Sequence, residues 1–130
     1  MQERLYILMR SDLASLNSGK AMAQASHASN AFVKKAFDFG EDISKWQTQT
    51  IQGFGTVLVL DGKNAKTIDY IVSLFDEKGY IADLVLDPTY PLRDGDFCHF
   101  IPVVTCGYVY VTPENEEFAK FILKDYDLHP

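Results

Sequence analysis

The sequence lacks the residue patterns of common metal sites, and Cys98 and Cys106 are its only cysteines. It contains no CxxC pair, no HExxH segment and no other compact spacing of metal-ligand residues, so we expect neither a metal centre nor a cofactor. Two cysteines are too few for a secreted disulfide scaffold. They could pair with each other, but reduced thiols in a cytosol fit this usage better.

Long apolar runs are also missing. No segment approaches the roughly 20 apolar residues that a membrane span needs, and residues 1–10 lack the basic leader and apolar region of a signal peptide. With 130 residues, of which 47% are hydrophobic, the chain is sufficient for one globular domain over residues 1–130. These features indicate a cytoplasmic protein without membrane association.

Positive charge is scarce and unevenly distributed. The net charge is −6, with +2 in residues 1–66 and −8 in residues 67–130. The acidic total counts against broad, nonspecific binding to nucleic acid, but a local basic patch can still contact it. Lys34 and Lys35 form a candidate phosphate patch. The simpler interpretation of this pair is a solvated helix end that complements the helix dipole.

Hydrophobic periodicity predicts an alternation of strands and helices. The predicted strands cover residues 5–9, 54–60, 81–87 and 103–111. The predicted helices cover residues 18–38, 65–78 and 113–124, with a further short helix around Trp46. Residues 88–102 contain three prolines and an Asp-Gly-Asp cluster, which predicts an irregular loop of functional interest. This order of elements indicates a three-layer α/β domain.

The first predicted helix has two contrasting sides. Ser18 is the predicted N-cap. The side that we expect to be buried is rich in small residues and comprises Met22, Ala25, Ser29, Phe32, Val33 and Ala36. The opposite line is more polar and comprises Lys20, Gln24, His27 and Ala31.

Lys20 is unusual because a cation in the first helical turn meets the positive end of the helix dipole, a placement that costs about 0.3–1 kcal/mol. One interpretation is a solvated lysine whose penalty is tolerated. The other is an anion site formed with the amides of the helix N-terminus.

The predicted topology brings several polar residues to one edge of the sheet. Ligands of open α/β sheets bind beyond the carboxyl ends of the parallel strands. Residues 10–12 and Asp87 follow two such strands, and Lys20 begins the helix after the first. If the fourth strand is antiparallel, Thr105 reaches the same edge. We therefore predict a site that includes Lys20, Asp87 and Thr105.

Two segments resemble the signature of the type-2 peptidyl-tRNA hydrolases. Residues 10–13 read RSDL and residues 18–28 read SGKAMAQASHA, which is similar to R-x-D-L followed by G-K-x-A-A-Q-x-S-H-A. Trp46 before the second strand and Asp87 at the end of the third also fit. The resemblance implies a mixed four-stranded sheet with an antiparallel last strand and helices on both faces.

The same resemblance implies a hydrolase of translation that recycles tRNA. Such an enzyme cleaves, without a metal, the ester bond between tRNA and a peptide or an N-blocked aminoacyl group. It binds the acceptor end of peptidyl-tRNA and is expected to be a cytoplasmic homodimer. Lys20 would hold a phosphate or stabilise an oxyanion, and Asp87 would orient Lys20 and a water or act as a base. Thr105 would position the water or the ester carbonyl.

Further residues complete the predicted substrate-binding set: Gln24, His27, Asp12, Thr89, Lys34 and Lys35. An isolated histidine such as His27 is more often structural, and Asp12 is expected mainly to brace the loop after the first strand. After Asp87 the family has Ala-Gly, a basic residue, Thr and Gln, whereas this chain has Pro-Thr-Tyr-Pro-Leu. Thr89 is therefore the nearest hydroxyl. The alternative function is a noncatalytic binding module of the same fold that engages a protein or a small anionic ligand.

Overall fold

The computed structural model describes residues 2–130, which form one mixed sheet with helices on both faces. The strands are β1 (Arg4–Arg10), β2 (Thr56–Lys63), β3 (Ala82–Asp94) and β4 (Phe97–Val111). The helices are α1 (Ser18–Asp38), α2 (Ser44–Gln47), α3 (Ala65–Glu77) and α4 (Glu116–Leu123).

The strand order is β2-β1-β4-β3. β1 and β2 are parallel, whereas β4 is antiparallel to both of its neighbours, β1 and β3. The prediction of an α/β domain with a mixed four-stranded sheet and an antiparallel last strand is confirmed. Because β4 lies between β1 and β3, the carboxyl ends of those two strands and the first half of β4 meet at one edge of the sheet.

Each face of the sheet has its own hydrophobic core. On one face, Phe32 of α1 packs edge-on against Trp46 of α2, with ring centroids 5.2 Å apart. On the other face, α3 and α4 contribute buried residues such as Ile68 and Leu123. α3 lies very close to β4 at Gly107, where an added Cβ would be 2.8 Å from Ile68 Cγ2. The two cores make the domain three-layered.

The buried side of α1 differs from the predicted one. The buried residues are Ala21, Gln24, Ala28, Phe32 and Ala36. Met22, which we expected in the core, is 68% exposed. Phe32 and Ala36 are buried as predicted, but the prediction was wrong for Met22 and Gln24 because it placed Gln24 on the opposite, polar line. In the structure, polar partners on the sheet draw Gln24 inward, and this orientation of the helix turns Met22 toward solvent.

Two helix starts also differ from the prediction. The N-cap of α1 is Asn17, not Ser18, and its side-chain oxygen accepts a hydrogen bond from the Lys20 amide at 3.1 Å. α4 begins at Glu116 rather than at residue 113. Asn115 delays that start, since its side-chain oxygen accepts from the Thr112 amide and its side-chain nitrogen donates to the carbonyl of Tyr110.

The predicted irregular loop over residues 88–102 is wrong, because β3 and β4 continue through it as an antiparallel hairpin. We call residues 88–103 the β3–β4 arm. Pro88 and Pro91 are tolerated because β3 is an edge strand, where a missing N–H need not break the ladder. Gly95, with φ of +60°, forms the turn at the tip.

Two β-bulges separate the arm from the rest of the sheet. Val85 pairs with Cys106 and Leu86 pairs with Val104, so Thr105 is an extra residue in β4. A second irregularity lies between Asp87 and Tyr90 in β3. Bulges bend a strand and change the direction in which a side chain points. Here Thr105 is the extra residue of the first bulge, and Asp87 lies between the two bulges.

Candidate active site

Gln24 connects two of the predicted site residues through its buried side chain. It is 4% exposed. Its amide nitrogen donates to Asp87 Oδ2 at 2.7 Å, and its amide oxygen accepts from the Thr105 hydroxyl at 2.7 Å. The result is a hydrogen-bonded chain, Thr105–Gln24–Asp87, that joins β4, α1 and β3.

The surroundings of Asp87 favour its ionised form. Partial burial by itself would raise the pKa of this carboxyl. Hydrogen bonds donated by the Thr89 amide and the Gln24 side chain, together with the nearby charge of His27, outweigh burial and place the pKa of Asp87 below its ordinary value. The Thr89 amide donates to Asp87 Oδ1 at 3.0 Å. Asp87 is therefore a fixed carboxylate at neutral pH.

Lys20 is half-buried and held on the β3–β4 arm. Its ammonium donates to the carbonyl oxygen of Pro91 at 3.0 Å and lies 5.0 Å from the centre of the Tyr90 ring. Among residues 2–130, no carboxylate oxygen lies within 4.0 Å of the Lys20 nitrogen, so Lys20 does not form an ion pair with Asp87. The predicted orientation of Lys20 by Asp87 is wrong, since the arm performs that task.

Asp12 braces the loop after β1, as expected. Arg10 donates to both carboxylate oxygens of Asp12 at 2.9 Å and also to the carbonyl of Val104 at 3.0 Å. The hydrogen bonds from Arg10 hold the pKa of Asp12 below its ordinary value. These hydrogen bonds of Arg10 fasten the loop after β1 to β4, directly beside the bulge at Thr105.

The remaining predicted residues lie along the exposed side of α1 and the start of the arm. His27 and Thr89 are exposed near Asp87. Lys34 is exposed and pairs with Asp38 at 2.9 Å. Lys35 is more enclosed, because its ammonium donates to the carbonyl of Ala82 and to the Asp83 carboxylate.

Tyr90 was missed as a site residue, and Arg10 was placed at this edge of the sheet but was given no role. Tyr90 is buried, lies beneath the Lys20 ammonium and shares a hydrogen bond of 3.0 Å with the hydroxyl of Ser15. Its place in a segment predicted as a loop concealed this role. Arg10 belongs to the RSDL segment. Its spacing of two residues from Asp12 at the end of a strand is the signal that could have predicted the Arg10–Asp12 ion pair.

Of the other chemically capable groups, the Cys106 thiol borders the site, since its Sγ donates to the backbone carbonyl oxygen of Gln24 at 3.7 Å. Both cysteines are free, and burial raises the pKa of Cys106 to about 12, so that thiol stays protonated. Within residues 2–130, no group of three or more His, Cys, Asp and Glu side chains is arranged to hold a metal ion. In the same range, no helix combines the length and the apolar character needed to cross a membrane.

Residues 4–96 match the family model described as peptidyl-tRNA hydrolase PTH2. The chain belongs to the PTH2 family. The match includes Lys20, Gln24 and Asp87, and it ends at Asp96, one residue before β4 begins. Thr105 therefore lies outside the matched segment, although the structure joins it to Gln24 by a hydrogen bond. None of the curated proteins compared with this PTH2 chain matches it.

Proposed function

We propose that this protein hydrolyses the ester bond that links a peptide, or an N-blocked aminoacyl group, to the terminal ribose of tRNA. The observation that carries the proposal is the hydrogen-bonded chain Thr105–Gln24–Asp87. Lys20 lies one helical turn before Gln24 in α1, and its ammonium is held on the arm by the carbonyl of Pro91. Membership of the PTH2 family supports the same reaction. By family analogy we also propose a cytoplasmic homodimer.

In the proposed reaction, the oxygen of a water molecule bonds to the ester carbonyl carbon and the bond from that carbon to the ribose oxygen breaks. One water proton passes to the ribose oxygen, and the peptide leaves with a free carboxyl group. Asp87 accepts a hydrogen bond from the water and aims it at the carbonyl. Because its pKa is low, this carboxylate is a weak base and acts mainly by orientation.

Lys20 supplies the positive charge that this reaction needs. An ammonium has three N–H donors, and Pro91 accepts one of them. The others are available to the negative charge that develops on the carbonyl oxygen or to the terminal phosphate. A fixed, half-buried cation stabilises such a charge more effectively than a mobile one in water.

Gln24 and Thr105 act as positioning residues. Gln24 is buried and both ends of its amide are engaged, so its role is to fix the direction of the Asp87 carboxylate. Thr105 is fully buried and its hydroxyl donates to Gln24, so we propose that it acts through Gln24 and not, as the resemblance implied, directly on the water or the ester carbonyl. We place His27, Thr89 and Lys34 at the rim that meets the acceptor end of tRNA. Lys35 and Asp12 support the rim from behind through their contacts with β3 and Arg10.

The test is cleavage of an N-acetyl-aminoacyl-tRNA by the purified protein, with release of the N-acetyl amino acid as the readout. We expect wild type to cleave it and Lys20→Ala to be slower by about 100-fold, the usual effect of removing one oxyanion donor. Lys66→Ala removes an exposed cation from the other side of the sheet and should leave the rate unchanged. Absence of cleavage by wild type, or equal rates for Lys20→Ala and wild type, would leave the noncatalytic alternative.

A further inference from the structure

A cavity of about 340 Å³ lies on the face of the sheet opposite α1 and the candidate active site. Its apolar walls come from β1, β2, β4, α4 and the segment after α4, and consist of Tyr6, Leu60, Val111, Ala119, Leu123 and Tyr126. These residues belong to or pack against the core formed by α3 and α4. Small-molecule sites in proteins have volumes of about 300–1,000 Å³, so this cavity is suited to a compact ligand.

The charged residues at the cavity are mostly cations, in a chain of net charge −6. They are Arg4, Lys120, Lys124 and a single acid, Glu116. Glu116 is already paired with Lys120 at 3.4 Å. Within residues 2–130, neither Arg4 nor Lys124 has a carboxylate within 4.0 Å. The cavity therefore has excess positive charge.

Arg4 is the most informative of these residues. It is half-buried at the start of β1, and its Nη1 donates a long hydrogen bond of 3.4 Å to the hydroxyl of Tyr6. A guanidinium carries five N–H donors in a planar fork that matches the two oxygens of a carboxylate. Here that fork borders an apolar cavity and has no acid of its own within the described residues.

We propose that this cavity binds a small organic monocarboxylate with an aromatic or branched apolar body. The carboxylate would form a forked pair with Arg4, assisted by Lys124, and the apolar body would contact Leu60, Val111 and Leu123. Most of the cavity wall is apolar and only one guanidinium borders it, so a ligand with an apolar body fits the cavity better than inorganic phosphate does. The inference is independent of the proposed hydrolysis, because it uses the other face of the sheet.

The test uses 3-phenylpropionate as the probe, titrated into the full chain and followed by methyl NMR. We expect the methyl signals of Leu60, Val111, Ala119 and Leu123 to shift together. The neutral 3-phenylpropanamide should bind about tenfold more weakly, since charge-assisted pairs are stronger than neutral ones. Arg4→Gln should weaken carboxylate binding about tenfold, whereas Arg4→Lys should retain part of it.

Lys66→Gln is the matched control, because it removes the same charge from an exposed position on α3 outside the cavity lining. It should leave the affinity unchanged. The proposal is overturned if the amide binds as tightly as the carboxylate, if Lys66→Gln weakens binding as much as Arg4→Gln, or if the shifted methyls lie elsewhere. It is also overturned if inorganic phosphate produces the same shifts at the same concentration.

Discussion

Gln24 donates its side-chain amide to the carboxylate of Asp87 at 2.7 Å, across 63 residues of sequence. The oxygen of the same amide accepts a hydrogen bond from the Thr105 hydroxyl, so one helix and two strands are joined by a single buried chain of hydrogen bonds. Buried polar groups that lose a partner carry a large free-energy penalty. A change at any member of this chain should therefore affect both folding and the proposed chemistry.

The first prediction concerns the pH dependence of the wild type. The pKa of Asp87 lies below 3.8, its ordinary value. The carboxylate is ionised above its pKa, so its contribution is lost only as the pH falls through that depressed value. We expect Asp87 to cause no decline in kcat/KM between about pH 7 and about pH 5. A decline in that range that disappears in Asp87→Asn would contradict this assignment.

Gln24→Glu should raise the pH at which kcat/KM begins to decline on the acid side. Two carboxylates in contact cannot both ionise without a large penalty, so the pair would retain a shared proton at higher pH. The measurement is the pH profile of kcat/KM for an N-acetyl-aminoacyl-tRNA. Asn30→Asp adds the same charge at an exposed position of α1 and serves as the control. Identical profiles for the two variants would show that Gln24 does not act on Asp87.

Thr105→Val should reduce both stability and kcat. It leaves the Gln24 amide oxygen without its donor, and an unsatisfied buried acceptor costs about 1–3 kcal/mol. Urea denaturation measures the loss of stability, and single-turnover cleavage measures the loss of rate. Thr105→Ser retains the hydroxyl and should recover most of the rate. If valine and serine variants cleave equally well, the hydroxyl has no part in positioning.

Asp12→Asn should destabilise the fold modestly and in a pH-dependent way. The pKa of Asp12 is lowered by Arg10, so its contribution is present above the ordinary value and is lost as the pH falls through the folded value. Asp12 is partly exposed, and we expect a loss of about 0.5–1 kcal/mol at neutral pH. Denaturation of both proteins at neutral and strongly acidic pH checks this. The exposed Asp125→Asn is the control, and a difference that persists in acid would refute the linkage.

Gly107→Ala should destabilise the protein by about 1–3 kcal/mol, the usual effect of overpacking a core. The new methyl would lie 2.8 Å from Ile68 Cγ2 and 2.9 Å from Val72 Cγ2, so α3 would have to move away from β4. Gly19→Ala is the counterpart, because its nearest neighbour would be 3.6 Å away and alanine favours helix. Thermal unfolding of the two variants should shift in opposite directions, and equal shifts would contradict this account.

The parts of the fold with strong periodicity were predictable from sequence. Alternating apolar strands and helices gave the α/β class, and strand ends gave the approach of Asp87 and Thr105 to one edge. Lys20 was predicted as a site residue because its charge conflicts with the dipole of α1, and it remains a candidate. These signals are local, and each depends on residues near one another in the chain.

The features that could not be predicted depend on partners far away in sequence. Gln24 is buried because its side chain forms hydrogen bonds with Asp87 and Thr105, and the periodicity of a helix gives no information about such distant partners. The arm was predicted as a loop because Pro88 and Pro91 argue against a strand, and only the position of β3 at the sheet edge removes that objection. The placement of Lys20 on Pro91 follows from the same unpredicted hairpin.

The extra residue at Thr105 has a consequence for how this chain can change over generations. Because side chains alternate between the faces of a strand, a single insertion or deletion there would exchange the two faces of residues 97–104. Growth or shortening near Gly95 by two residues on each strand would preserve that alternation. The length of the hairpin can therefore change at its tip without altering which side chains of the arm face which way, whereas a one-residue change next to Thr105 would reverse them.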